Sequence, residues 1–517
     1  MAFQPVIKEI NSRYTKRLQN NKITTKITIN CTDKSIGQVL SVGAKPKVVN
    51  LLPASGSVMI ESSALAKAVI VDKDNNYFSL EENITFSQPI INTEITPDSS
   101  IFANLSVVDT SIIQATEHHI SFDITILVTL FVVFDQNICT IQDVGESCYQ
   151  RTTSIAYSNL VNYSDDEFEL TNEVELPTNI SAVVQVQSDT ILQNVETGES
   201  MLTLSGKIIN NLIYLTNEDN PRLKTQKYTI NFNQEISCAN VSTLDNAIAI
   251  LQDCGTSYEV QGELSSVKGV LLLKNKYKVL SFVNRVQAAD VVCDAFSPNY
   301  QLLPTNSSYI IQKSSHIQNF NDKIDGNIIL ADNSVRIDRV LATTSSTIDY
   351  SINKTDNFNV KGTLFTNVIY ELDNEEHTIG SVLAEIPFNT QLPINDIKDN
   401  DEISVNVIVT DIEARNKRSL EIDIIADLCV SVNISTTDTG VVISNMELGD
   451  GLPNNYPPMG VYYIDNAETE WDIAKTLLVP PALILTQNPN LVFPISQPTP
   501  ILLYRGRNIN TDNPTKN

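Results

Sequence analysis

The chain has 517 residues, of which 42% are apolar and 19% are charged, a composition typical of globular rather than disordered proteins. This length gives room for about three to four domains, each with its own core. The formal net charge of −26 argues against nucleic acid as a partner, because phosphate binding requires clustered Lys and Arg, and it disfavours docking on an anionic membrane.

The lead segment, residues 1–33, contains two patterns. NSRYTKRLQ is polar with basic residues and is compatible with a short helix, whereas KITTKITIN alternates as a strand does. We expect an ordinary first strand or a frayed tail, and the alternative is an arm that pairs with another subunit. No apolar secretory signal is visible in this segment.

One hairpin pattern occurs three times, at residues 62–86, 206–232 and 361–388. In the third copy, two alternating arms, TLFTNVIYEL and TIGSVLAEIPF, flank the polar break DNEEH. The copies end on Phe86, Phe232 and Phe388, which are about 150 residues apart, the usual size of one domain. The pattern indicates a tandem repeat of one β domain.

No helical pattern long enough for a β-α-β unit separates these strands, so we predict antiparallel β-sandwich or roll domains. Because the repeats are much longer than solenoid units, we expect them to be arranged as beads on a string. The most apolar run, residues 122–134, is too short to cross a bilayer and carries Asp123, which predicts a buried strand and no membrane insertion. The predicted β domains are residues 34–150, 151–295 and 296–435.

The pattern changes after a segment rich in Pro and Gly, which we predict to be a linker at residues 436–460. The module that follows, residues 461–507, begins with the strand VYYID. AETEWDIAKTLLV then has helical spacing, PPALILTQNP predicts a second helix that begins with prolines, and PTPILLYRGR predicts a closing strand. The order is strand, helix, helix, strand, followed by a disordered tail at residues 508–517.

Four segments of this module form a recognisable pattern: Tyr462-Tyr463-Ile464, Thr469-Glu470-Trp471-Asp472-Ile473-Ala474, Asn488-Pro489-Asn490-Leu491 and Ile501-Leu502-Leu503-Tyr504. The module resembles a LysM domain, a fold that binds glycans containing N-acetylglucosamine through two loops. Ala467-Glu468-Thr469 replaces the Gly-Asp-Thr turn of that family, and Ser496-Gln497-Pro498 replaces its Pro-Gly-Gln. These departures weaken the expectation of glycan binding.

The three upstream repeats resemble SPOCS domains, with the diagnostic hairpin end intact as Glu385-Ile386-Pro387-Phe388 and altered to N-I-T-F and T-I-N-F in the other copies. Three such repeats followed by one LysM module are similar to the SipL-type spore-coat morphogenesis proteins of Firmicutes. The resemblance implies a partner, the coat-basement ATPase called stage IV sporulation protein A, or another coat protein. It also implies a location in the mother-cell cytoplasm, at the surface of the forming spore coat.

The cysteines agree with a reducing compartment, because they are odd in number and have no CxxC spacing. They indicate neither a disulfide framework nor a zinc site, although Cys139 with Cys148, or Cys238 with Cys254, can each close a small loop. The seven are Cys31, Cys139, Cys148, Cys238, Cys254, Cys293 and Cys429.

We recognise no catalytic motif, and we expect no enzyme, metal site or cofactor. His118 and His119 are adjacent, so on a strand they point to opposite faces and cannot chelate one metal together. The acidic runs at residues 164–167 and 399–402 lack the alternating ligands and central glycine of a calcium loop, which favours solvated loops.

The leading hypothesis is a non-catalytic scaffold whose LysM module docks a protein partner and whose β domains mediate assembly contacts or self-association. Trp471, Ile473 and Ala474 are predicted to form the core of the LysM helix, and Thr469 to cap it. The residues predicted to contact a protein partner or a glycan are Glu468, Thr469, Glu470, Asn488 and Asn490.

Two alternatives remain open. One is a protein of the cell or spore surface that binds peptidoglycan through LysM. The other is a protomer of a spore or surface fibre, in which residues 1–33 add a strand to a neighbour's sheet.

Overall fold

A computed structural model describes residues 4–74, 76–145, 148–176, 180–218, 221–261, 269–330, 336–353, 358–374, 378–394, 397–398, 400–418, 420–453, 456–464 and 468–505. The predicted tail at residues 508–517, together with Ala467, His377 and Asp399, lies outside the described residues.

Almost all of the regular structure is strand, in three successive units and a small C-terminal module. The first unit contains β1 (Val6–Arg17), β2 (Asn21–Asn30), β3 (Gln38–Ala54), β4 (Ser57–Val71), β5 (Tyr77–Ile91), β6 (Ser100–Ala115) and β7 (His119–Asp143). The second contains β8 (Tyr149–Glu175), β9 (Ile180–Gly198), β10 (Met201–Thr216), β11 (Leu223–Ser237), β12 (Asn246–Gln261) and β13 (Val270–Phe296). The third contains β14 (Tyr300–Ile329), β15 (Ile337–Asn353), β16 (Phe358–Leu372), β17 (Ile379–Leu392), β18 (Glu402–Arg418) and β19 (Glu421–Gly451). The module contains β20 (Met459–Ile464), α1 (Glu470–Leu477), α2 (Pro481–Gln487) and β21 (Thr499–Tyr504).

Each unit is built from two antiparallel sheets. In the second unit, β9, β10 and β11 form a meander, and β13 pairs with both β8 and β12. The third unit repeats this order with β15 to β17 and with β14, β19 and β18. The first unit differs in one respect. β1 and β2 together occupy the place that the long strands β8 and β14 have in the other units, and both pair with β7. The prediction of a mostly β, antiparallel architecture is confirmed.

The core of each unit lies where alternating side chains of its two sheets meet. In β7 every second residue from Ile120 to Val132 is buried against β4 and its neighbours, so the run at 122–134 is a buried strand as predicted. A sheet with one buried face requires this two-residue period.

The three units pack around a common axis. One apolar cluster contains Val69, Ile213 and Ile369, which occupy the same register position on the second meander strand of each unit. Equivalent residues of three units can meet in one cluster only if the units are related by an approximate three-fold rotation. Two further equivalent sets lie in or against the same cluster: Leu40, Val184 and Leu341, and Tyr77, Leu223 and Ile379.

A second cluster lies where the C-terminal parts of β7, β13 and β19 converge. It contains two more sets with one member from each unit: Ile141, Val292 and Ile443, and Val144, Ala295 and Met446. The expectation of beads on a string is therefore wrong, because these two apolar clusters are each formed by side chains of all three units.

Gln312 of the third unit makes polar contacts with both of the other units. Its Nε2 donates to the Thr15 carbonyl oxygen at 2.7 Å, and its backbone N–H donates to Ser158 Oγ at 2.8 Å. Because Gln312 is buried, these hydrogen bonds are costly to lose.

Several predicted boundaries are wrong. The described part of the lead segment supplies β1 and β2 of the first unit, and NSRYTKRLQ lies largely in β1 rather than in a helix. β19 continues to Gly451, so residues 436–451 are strand and not linker. The acidic run at 164–167 lies inside β8 rather than in a loop. Strand pairing with distant residues, which local composition does not report, extends each of these elements.

All seven cysteines lie within the described residues, and all are free thiols. Neither of the two loops proposed from the sequence is closed by a disulfide.

Candidate functional site

The C-terminal module is a two-stranded sheet covered on one face by two short helices. β20 and β21 pair antiparallel, with Val461 opposite Leu502. Ile464, Ile501 and Leu503 point inward toward the helices. The order β20, α1, α2, β21 is the order expected from the sequence.

Thr469 caps the start of α1. Its hydroxyl accepts from the Asp472 backbone N–H, and its own backbone N–H donates to Asp472 Oδ2 at 3.0 Å, which together form a capping box. The hydrogen bonds from Thr469 hold the pKa of Asp472 below its ordinary value. Thr469 therefore has a structural role in fixing the predicted contact loop.

The predicted contact residues fall into two environments. Glu468, Thr469 and Glu470 are half-buried, and the carbonyl oxygen of Glu468 accepts from Ile495 N–H at 3.1 Å, which ties this loop to the segment before β21. Asn490 is exposed at the loop after α2.

Asn488 does not have the exposed position expected of a contact residue. Its Oδ1 accepts from Leu502 N–H at 2.9 Å, and its Nδ2 donates to the carbonyl oxygens of Leu502 at 2.8 Å and of Ile484 at 3.0 Å. The side chain thus pairs with the open edge of β21 as a neighbouring strand does. The side-chain amide of Asn488 is therefore engaged within the module, where it ties the end of α2 to β21.

The three residues predicted to form the core of the LysM helix differ in their burial. Ile473 and Ala474 are buried, whereas Trp471 is only half-buried and packs across the boundary between the module and the second unit. Its ring contacts Phe296 with centroids 5.2 Å apart, and its Nε1–H donates to Asp294 Oδ2 at 2.8 Å.

We call the contact that Trp471 and Lys475 of α1 make with Asp294, Phe296 and Arg151 of the second unit the latch. Lys475 Nζ donates to Asp294 Oδ1 at 2.7 Å, and the Arg151 guanidinium lies 5.8 Å from the centre of the Trp471 ring. Burial favours a raised pKa for Asp294, but the hydrogen bonds from Lys475 and Trp471 outweigh it and hold that pKa below its ordinary value. Sequence reasoning missed this contact. Asp294 lies about 180 positions before Trp471 and Lys475, and a local sequence pattern does not report contacts over such a separation.

The outer face of the β20–β21 sheet is apolar and exposed to solvent. Its side chains come from Met459, Val461, Tyr463, Leu502 and Tyr504, and Tyr463 is 80% exposed. Adjacent exposed apolar residues of this kind mark interaction surfaces.

A cavity of about 480 Å³ lies between the first and second units. Lys47 and Glu167 line it and pair with each other at 2.7 Å, and Phe168 and Tyr277 form an aromatic wall. Cys254 also lines this cavity. Burial raises the pKa of its thiol to about 12, so the thiol is protonated and weakly nucleophilic at neutral pH.

Across the described ranges, no group of three His, Cys, Asp or Glu side chains is placed to hold a metal ion. His119 Nδ1 is 2.8 Å from Thr116 Oγ1, and His118 is exposed beside it. Neither helix of the described chain has the length and apolar character that a membrane span requires.

The fold and the module define a class: a β-repeat protein with a small helix-containing domain at its C-terminal side. Within it, residues 336–417 match the family model described as SipL, SPOCS domain. The match covers β15 to β17 and nearly all of β18, and it relates the chain to sporulation proteins. Neither the curated proteins nor the solved structures contain a match to the chain.

Proposed function

We propose that this chain is a non-catalytic scaffold of spore-envelope assembly, whose C-terminal module captures a protein partner. The observation that carries the proposal is the match of residues 336–417 to the SipL SPOCS domain. The strand pairing of that segment recurs in the two preceding units, which supports reading all three as SPOCS-like β domains.

The C-terminal module, which we assign to the LysM class, is the candidate docking element. The apolar face of its β20–β21 sheet suits a protein better than a glycan, because protein interfaces are built on exposed aromatic and aliphatic side chains. Occupation of Asn488 within the module removes one of the polar groups that a sugar can use. The partner proposed from the family resemblance is the coat-basement ATPase.

We place the chain in the mother-cell cytoplasm, at the surface of the forming coat. The free state of all seven thiols is consistent with a reducing compartment.

The fibre alternative loses its main argument in this structure. β1 and β2 are already paired with β7 of the same chain, with Ile10 opposite Ile138 and Ile27 opposite Phe122. Donation of this segment to a neighbour requires both pairings to break, and β7 is then left with an open edge.

The test is binding of the full chain to two immobilised ligands, purified coat-basement ATPase and peptidoglycan. Capture by the ATPase alone is the expected result. Val461→Glu, which puts a charge into the exposed apolar face, and Glu470→Ala, at the first residue of α1, locate the binding surface. Ser87→Ala, at an exposed position of β5, is the control. Retention on peptidoglycan alone overturns the proposal in favour of a glycan-binding surface protein.

A further inference from the structure

The two edges of the β20–β21 sheet differ in how their backbone groups are bonded. On the β21 side, two side-chain amides take the place of a neighbouring strand. Gln487 Oε1 accepts from Tyr504 N–H at 2.7 Å, and Gln487 Nε2 donates to the Tyr504 carbonyl oxygen at 2.7 Å. Asn488 makes the same two contacts with Leu502, at 2.9 and 2.8 Å. This edge of the sheet is therefore closed from within the module.

The opposite edge, formed by β20, points into solvent. Val461 lies directly opposite Leu502, whose N–H and C=O groups point away from β20. Residues that face each other in this way in an antiparallel pair both direct their backbone groups away from the partner strand. The same holds for Met459, opposite Tyr504, and for Tyr463, two residues further on. We call the outward N–H and C=O groups of Met459, Val461 and Tyr463 the outer edge of β20.

The outer edge of β20 is accessible and unpaired. Met459, Val461 and Tyr463 are 59%, 60% and 80% exposed. Among the residues that the structure describes, none forms a hydrogen bond with the outward backbone groups of these three. A row of unpaired N–H and C=O groups on an exposed strand is a template for pairing with another strand.

β20 also lacks the features that protect the other sheet edges of this chain. Proteins usually block exposed edges with charged side chains, with proline or with a bulge. The outermost strands of the three meanders carry such residues: Glu81 and Pro89 on β5, Lys224 and Lys227 on β11, and Glu385 and Pro387 on β17. Over its described length, MGVYYI, β20 has no charge, no proline and no bulge in its pairing with β21.

The side chains beside this edge indicate what kind of strand fits it. Met459, Val461 and Tyr463 lie on the exposed apolar face of the sheet, and a strand added at the outer edge extends that face. Every second side chain of the added strand lies beside them, so we expect those side chains to be apolar. The net charge of −26 opposes pairing of two copies of this chain through the same edge. The occupant is therefore a segment of a different protein.

We propose that the C-terminal module captures its protein partner by strand addition, in which an extended segment of the partner, apolar at every second residue, pairs with the outer edge of β20. This inference rests on the proposed function and deepens it, since it concerns the same module and names the kind of segment that is bound. In this mode of recognition, backbone hydrogen bonds supply affinity and the side chains beside them supply specificity.

Val461→Pro tests the backbone contact in the full chain. The Val461 N–H does not pair with β21, so proline leaves the β20–β21 sheet intact, while it removes an outward donor and puts its ring in the path of an added strand. We expect binding to purified coat-basement ATPase to weaken by about tenfold or more. Ser87→Pro is the matched control, because the Ser87 N–H also points outward from an exposed edge strand, two residues before Pro89. It should bind as the unaltered chain does.

Val461→Thr separates backbone pairing from side-chain contact. Threonine keeps the N–H and the branched shape, so strand addition predicts a loss of no more than about threefold. A loss with Val461→Thr that equals or exceeds the loss with Val461→Pro assigns binding to the apolar side chains alone and overturns strand addition. Urea unfolding followed by the emission of Trp471, the only tryptophan, shows whether the module of each variant is folded.

Amide hydrogen exchange provides a second measurement, which needs no variant. In the unbound chain the amides of Met459, Val461 and Tyr463 should exchange rapidly, whereas those of Gly460 and Tyr462, which face β21, should be protected. When the ATPase is bound, exchange of the three outward amides should slow by about tenfold or more. Unchanged exchange at these amides in the complex overturns the inference and leaves partner capture, and with it the proposed function, in place.

The remaining outcomes are distinguishable from these. If the unaltered chain does not bind the ATPase, the proposed function fails and strand addition fails with it. Sedimentation of the chain alone tests self-pairing: a dimer that Val461→Pro dissociates and Ser87→Pro does not overturns the inference in favour of a second copy of this chain. Weakened binding by Val461→Pro together with slowed exchange of the three outward amides supports both proposals.

Discussion

The ring of Phe388 lies over the backbone of Gly362, directly across the strand pair β16–β17. A Cβ added at Gly362 would lie 2.7 Å from Phe388 Cζ and 2.4 Å from the carbonyl oxygen of Asp349. Gly206 and Phe232 have the same relationship in the second unit, with 2.8 Å between the added Cβ and the ring. In these two units the position of the phenylalanine ring therefore requires a glycine opposite it, whereas in the first unit Ser62 lies opposite Phe86.

Gly362→Ala should destabilise the fold. The methyl group has no space between the ring and the Asp349 carbonyl, so strand or ring must move, and overpacking of this kind costs about 1–3 kcal/mol. Urea unfolding of the full chain, followed by circular dichroism, measures the loss. Ser62→Ala, at the equivalent position of the first unit, is the control, because a Cβ is already accommodated opposite Phe86. Equal effects of the two substitutions contradict this explanation.

The ion pair of Arg339 and Glu371 replaces apolar packing at the three-fold axis. Glu371 occupies the register position held by Val71 and Leu215 in the other units, and Arg339 binds it with contacts of 2.6 and 2.9 Å. Arg339→Met removes the two charge-assisted hydrogen bonds that the nearly buried Glu371 carboxylate accepts from Arg339, and it should lower the free energy of unfolding by about 1–3 kcal/mol.

The double variant Arg339→Met/Glu371→Leu should recover most of that loss, because it restores the apolar residue present in the other two units. The recovery is measured by comparing the denaturant midpoints of the single variant, the double variant and the unaltered chain. A double variant as unstable as the single one shows that the pair is needed for its geometry rather than for charge balance.

Asn488→Ala should destabilise the C-terminal module. It removes three hydrogen bonds and leaves backbone groups of Leu502 and Ile484 without that partner, at a cost of about 1–3 kcal/mol. The emission of Trp471 follows unfolding of this module in urea. Asn490→Ala, on an exposed side chain two residues away, should shift the midpoint by less than about 0.5 kcal/mol. If Asn490→Ala is the more damaging change, the role assigned to Asn488 is wrong.

Acid should open the latch. The pKa of Asp294 is lowered in the docked state, so its ionised form favours docking, and that contribution is present above the ordinary Asp pKa of about 3.9 and disappears as the pH falls through the lowered value. Trp471 emission should therefore be constant from pH 7 to about pH 5 and shift to the red below about pH 4. In Asp294→Asn this step should be missing. Identical pH profiles of the two proteins assign the transition to other carboxylates.

Local pattern was sufficient for the class of most elements, but not for NSRYTKRLQ, which lies largely in β1, or for residues 164–167, which lie inside β8. The alternation in residues 122–134 defined a buried strand, and the spacing of Phe86, Phe232 and Phe388 marked equivalent positions of three meanders. It also failed at a strand end: residues 436–451 were predicted to be part of a linker but are strand, because β19 pairs with β14 over this stretch.

Sequence alone determined the mostly β, antiparallel architecture, because periodicity and turn residues act over a few neighbouring positions. Only the tertiary structure decided that Val69, Ile213 and Ile369 meet at one axis, that Trp471 is shared with the second unit, and that Asn488 pairs with β21. These contacts join residues far apart in the chain. They depend on the shapes of completed sheets, which no local pattern encodes.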